Sequence, residues 1–158
     1  MSADGERFGL RFRTTKGEKI SDEEYKRVAR LFAESIFDEP LEDEEIEAIE
    51  SAGISEIDCS GMGMCEFTEY VCDDFVEFEC GDEIYGNMGT ILENIQDRMI
   101  KECPGIMFEL HWAELYGSVS DERILYNGEK LITDFPEGEA AFVDEDSGGI
   151  TLSYSYIE

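Results

Sequence analysis

The sequence predicts an α+β domain, an antiparallel sheet with about three helices packed on one of its faces. Three observations lead there. Some segments alternate apolar and polar residues at the period of a strand. Others repeat apolar residues at helical spacing behind capping boxes. The strand-like segments also come in runs separated by turn residues, which favours hairpins over parallel crossovers. With 158 residues, 42% of them apolar, the chain can close one core and reads as a single domain, 1–158.

Residues 6–14, ERFGLRFRT, set Phe8, Leu10 and Phe12 on one side and Arg7, Arg11 and Arg13 on the other, a half-buried strand interrupted at Gly9. Ser21 and Glu24 form a capping box, after which Tyr25, Val28, Phe32 and Ile36 carry a helix to about residue 36. A shorter helix is expected at roughly 41–52, with Ile46, Ile49 and Ala52 inward and Gly53 as its stop. In CEFTEYVCDDFVEFECGDE, Cys65 to Glu83, the residues Cys65, Phe67 and Val71 share a parity, as do Val76, Phe78 and Cys80. Asp73-Asp74 falls where a turn would sit, so two antiparallel strands are read at about 64–71 and 75–80. A third helix covers about 88–103, with TILE at 90–93 as a capping box, Ile91, Ile95, Met99 and Cys103 along one face, and Pro104-Gly105 as its end. Ile106, Phe108, Leu110 and Trp112 alternate along a further strand, and Asn127-Gly128 between apolar runs marks a hairpin. A last hairpin is expected around Ile150, Leu152, Tyr154 and Tyr156. The order β-α-α-β-β-α-β-β-β-β-β admits a ferredoxin-like core with a C-terminal meander as one topology among several.

Charge is the anomaly. Forty acidic residues against twelve Lys and Arg give a net charge of −28. Such a chain repels itself, and it also repels nucleic acid and anionic membranes. Its natural partners are cationic. The acidity is regional: residues 1–30 are net +2, the 67 residues between Arg30 and Arg98 hold 21 acids and no base, and residues 98–158 are net −9. Eight of the thirteen residues from Asp38 to Glu50 are acidic.

Conventional chemistry finds little support. The five cysteines at 59, 65, 72, 80 and 103 lack the close pairs of a zinc knuckle, and three of them, Cys65, Cys80 and Cys103, fall on apolar faces. DEDSGG at 144–149 begins like a calcium loop, but Gly148 occupies a ligand position and Ser155 stands where the bidentate Glu belongs. His111 is the single histidine, and no nucleophile-elbow motif accompanies it. No cofactor, metal or catalytic residue is therefore expected, and the protein is read as no enzyme. The N-terminal residues carry no apolar run of signal-peptide type, and an odd number of cysteines suits reduced thiols, so a cytoplasmic location is expected.

What remains is the acidic surface. Glu77 and Glu79 on one strand, with Glu66 and Glu69 near them, would set carboxylates about 6.7 Å apart on an outer face, and the helix at 38–50 would add a second row. The expected partner-binding set is Asp38, Glu39, Glu42, Asp43, Glu44, Glu45, Glu47, Glu50, Glu66, Glu69, Asp73, Asp74, Glu77, Glu79, Asp82 and Glu83. In charge and size the chain is similar to the DNA-mimic proteins of phages and mobile elements, which include anti-restriction and anti-CRISPR inhibitors, and to acidic immunity proteins that neutralise nuclease toxins. The resemblance lies in class and composition, and it implies a basic nucleic-acid-binding protein as partner. The alternative is a salt-adapted, halophilic domain of ordinary enzymatic or metal-binding function. Against that alternative stand 27 Glu to 13 Asp, 15 Ile to five Val, and the regional concentration of the acids.

Overall fold

The computed structural model describes residues 6–57, 66–73, 75–82, 88–114 and 120–132. The first strand, β1 (Glu6–Thr14), follows its alternation: Leu10 and Phe12 are fully buried in the core, and Arg11 and Arg13 take the other side. Helix α1 (Asp22–Phe37) starts at the predicted capping box. The Ser21 hydroxyl accepts the Glu24 amide at 3.1 Å, and the Glu24 carboxylate accepts the Ser21 amide at 3.0 Å. It ends at Asp38, whose φ of 58° places it in the left-handed region that Asp tolerates better than most residues. Helix α2 (Asp43–Ser51) is shorter than expected and is followed by a single 3-10 turn at Ile54–Glu56. Ile49 is buried and Ile46 half-buried, but Ala52 is exposed, because the helix ends one residue before it.

Strands β2 (Glu66–Val71) and β3 (Val76–Asp82) form the expected antiparallel hairpin. Helix α3 (Met88–Glu102) begins before Thr90, so TILE lies inside its first turn and not at its cap. Strands β4 (Ile106–Glu114), β5 (Ser120–Tyr126) and β6 (Leu131–Ile132) complete the described chain. Asn127 and Gly128 do connect β5 to β6, through a loop closed by the Asn127 side chain, whose Oδ1 accepts the amides of Glu129 and Lys130 at 2.9 and 3.0 Å. The hairpin expected around residues 150–156, the DEDSGG turn, Cys59 and Cys65 lie outside the described residues.

The sheet runs β2-β3-β1-β4-β5-β6 with every pairing antiparallel. The fold is therefore α+β. One face carries Leu10, Phe12, Phe78, Phe108 and Leu110, joined in a single core by Val28, Leu31 and Phe32 of α1 and Ile91, Ile95 and Met99 of α3. Edge-on aromatic contacts tie α1 to the sheet: Tyr25–Phe78 at 5.4 Å, Phe37–Phe67 at 5.5 Å and Phe32–Phe67 at 5.9 Å between centroids. Each such side chain contributes about 1.5–3 kcal/mol by leaving water. Among the described residues, no helix is long and apolar enough to cross a membrane.

Candidate functional site

The acidic segment at 38–50 owes its orientation to a few apolar anchors. Leu41 and Ile49 are buried, and Ile46 is half-buried against the core, so the rest of α2 must turn outward. Asp38, Glu39, Glu42, Asp43, Glu44, Glu47 and Glu50 are all exposed. Glu45 differs: it is half-buried, and its carboxylate accepts the Glu42 amide at 2.8 Å, which helps cap the helix. Asp43 and Glu44 in the first turn also oppose the positive end of the helix dipole.

Two of the cations near this face, Arg30 and Arg98, are already engaged. Glu34 of α1 accepts Arg30 at 3.1 Å and Arg98 of α3 at 2.9 Å, and Arg98 also grips Glu102 at 2.7 and 3.1 Å. Burial alone would push the Glu34 carboxyl up, but the Arg98 and Arg30 donors and the Leu41 amide outweigh it and hold it below the usual carboxylate range. Arg30 and Arg98, with Lys26 and Arg27, line a groove of about 490 Å³ whose other wall includes Ile46, Ile49 and Glu50. Among the described residues, no ion pair involves an acidic residue of 38–50.

The hairpin does not present the single carboxylate face that its sequence suggested. Register places Glu69 opposite Phe78, on the core side of the sheet, whereas Glu77 and Glu79 lie on the reverse side. Glu77 is withdrawn from solvent altogether: it is 5% exposed and accepts Arg11 Nη2 at 2.6 Å. The cause is strand order. Because β1 lies beside β3, Arg11 is the direct neighbour of Glu77 and, on β4, of Glu109, which is 1% exposed. Phe75 covers the guanidinium with its ring centroid 4.9 Å away. Burial raises the Glu77 carboxyl even though Arg11 pulls it down. Glu79 is half-buried beside Gly9, and Asp73 is exposed. Glu66 and Asp82 are placed by strand register only, and Asp74 and Glu83 lie outside the described residues.

Glu69 belongs to a different arrangement, one that the sequence did not announce. The Tyr25 hydroxyl donates to its carboxylate and accepts the Ile54 amide at 3.0 Å. Burial, reinforced by the Glu69 carboxylate, raises the Tyr25 phenol, so it stays a neutral donor. Gly53 makes the contact possible. Its φ of 117° suits glycine, and a Cβ there would stand 2.9 Å from Tyr25 Oη and 3.0 and 3.2 Å from the Glu69 oxygens. Tyr25 reads in sequence as one more residue of an apolar stripe, and Gly53 as a helix stop. Only the fold shows that both shape one pocket. Val71, expected inward, is 58% exposed and lines that pocket with Cys72.

Cys80 and Cys103 are buried as their parity predicted, and burial pushes the Cys103 thiol up to about 11. Cys72 is exposed. Among the described residues, no three His, Cys, Asp or Glu side chains are gathered as a metal would require. His111 is placed by register, beside Gly9 of β1 and Arg123 of β5. No family model, curated protein or solved structure matches the chain.

Proposed function

We propose that this protein is a non-enzymatic inhibitor of the DNA-mimic kind, which occupies the nucleic-acid site of a basic protein such as a nuclease or a CRISPR or restriction effector. The observation that carries the reading is the outer face at 38–50. Its seven exposed carboxylates join no ion pair among the described residues, while Arg30 and Arg98 nearby are held by Glu34 and Glu102. Helix α2 has nine residues and is about 13 Å long at 1.5 Å per residue. Duplex DNA of that length carries about eight phosphate charges, at one per 1.7 Å. The four exposed carboxylates on α2, Asp43, Glu44, Glu47 and Glu50, are thus comparable in number with the phosphates of one strand over that length, at about one per 3.4 Å. The hairpin has a smaller part than its composition implied, because Glu77 is neutralised internally and Glu69 faces the pocket.

The test is a charge reversal that spares the helix cap: Asp43→Lys, Glu44→Lys and Glu47→Lys together, with Glu42 and Glu45 kept. Wild-type protein should displace duplex DNA from at least one member of a panel of restriction, CRISPR and toxin nucleases. The triple variant should fold, by circular dichroism, and lose about 100-fold or more in potency through the like charges it brings to a basic site. Displacement should also fade as salt rises towards about 1 M, where the Debye length is about 3 Å. Unchanged potency of the triple variant would refute the reading.

A further inference from the structure

Beside the acidic face, α1, α2, β2 and β3 enclose a cavity of about 410 Å³. We infer that this cavity is a socket for one basic side chain, arginine before lysine, projected into it by the partner; the inference rests on the proposed function and names where such a partner is gripped.

The walls suit the stem of such a side chain. Ile20, Ile49, Val71 and Val76 line them, and a long cationic residue lays its methylenes on apolar surface while its head seeks charge. The charged groups suit the head. Asp22 is already paired with Lys26 at 3.0 Å, which leaves Glu50 and Glu69 as the carboxylates of the lining, against Lys19. Glu69 is also held where its charge is least welcome, against Gly53 at the C-terminal end of α2. The helix dipole is negative there, and the last turn of α2 holds no basic residue. The Tyr25 hydroxyl fixes one oxygen of that carboxylate, so its orientation is set before any ligand arrives. A planar guanidinium could bridge Glu69 and Glu50 with parallel N–H donors, which a single ammonium does less well.

The experiment is an amide NMR titration of the full chain with N-acetylarginine amide, and with its neutral isostere N-acetylcitrulline amide. The arginine derivative should shift Ser51, Gly53, Ile54 and Glu69 saturably, and the citrulline derivative should not. Glu69→Gln should weaken the arginine derivative about tenfold, and Glu50→Gln, which removes an exposed carboxylate, about threefold. If Glu69→Gln does not fold, Glu50→Gln decides. Equal shifts from citrulline, shifts spread along residues 39–47 with none at Gly53, or unchanged affinity in the folded variants would each overturn the socket. The DNA-displacement assay with the Asp43, Glu44 and Glu47 variant reports separately on the acidic face, so failure of the socket is distinguishable from failure of the inhibitor reading.

Discussion

Replacing Arg11 by Met should unmask the charge that the sheet conceals. Arg11 and Glu77 approach to 2.6 Å with 10% and 6% of their side chains exposed. Across that distance two unit charges attract by about 6 kcal/mol at an effective dielectric constant of 20. Most of that gain offsets the cost of taking both ions out of water, so the intact pair contributes little net stability. Breaking it is another matter. Arg11→Met preserves much of the stem, removes the guanidinium beneath Phe75, and leaves the Glu77 carboxylate buried next to the row that holds Glu109. Losing one partner of a buried pair costs about 3–5 kcal/mol, a large part of the roughly 5–15 kcal/mol that holds a domain folded.

The pH dependence gives the prediction its sign. Burial already raises the Glu77 carboxyl against the pull of Arg11. Without Arg11 it rises further. A carboxyl raised in the folded state favours folding most below its unfolded value near 4.3 and loses that benefit as pH climbs through the folded value. The deficit of Arg11→Met should therefore be largest at about pH 8 and shrink towards about pH 5. Urea unfolding followed by far-ultraviolet circular dichroism measures it, and the double variant Arg11→Met, Glu77→Leu should recover most of the loss, because an apolar pair needs no counter-ion. A deficit below about 1 kcal/mol at pH 8, one that ignores pH, or a double variant no better than the single would refute this account of the sheet.

Two further outcomes are expected. Glu34 is held below the usual carboxylate range, so its contribution is present above about pH 4.3 and disappears as pH falls through its lower folded value. Glu34→Gln should accordingly lower stability by about 1–3 kcal/mol at neutral pH, with the two melting curves converging in acid; a constant gap would contradict the assignment. Native alkylation at about pH 8, mapped by mass spectrometry, should label Cys72 well before Cys80 and Cys103, since burial keeps the Cys103 thiol protonated up to about 11. Labelling of Cys103 at the rate of Cys72 would show that it is not packed in the core.

Local signals in the sequence were strong wherever one residue's neighbours decide its fate. The Ser21–Glu24 capping box, the alternation through Leu10 and Phe12, and the hairpin from Glu66 to Asp82 are short-range patterns, and the structure reproduces them. The misreadings lie at element ends. TILE sits inside α3, Ala52 outside α2, and Val71 at the last residue of β2, where periodicity has too few neighbours to settle burial. The outward-facing acidic segment at 38–50 was legible because its anchors, Leu41, Ile46 and Ile49, are themselves local.

The distribution of charge was only half legible. Composition alone determines that the protein is an anion of −28 with its acids gathered in the middle of the chain, a charge that repels a polyanion. Which of those acids face water is a question of strand order. Glu77 lies in a 67-residue stretch without a base, yet its counter-ion comes from Arg11, 66 residues away, because β1 inserts between β3 and β4. The same packing brings Tyr25, Gly53 and Glu69 from three separate segments to one pocket. Electrostatic interaction depends on distance in space, so the sequence by itself determined how much negative charge the protein carries, and only the tertiary structure decided where it is left exposed.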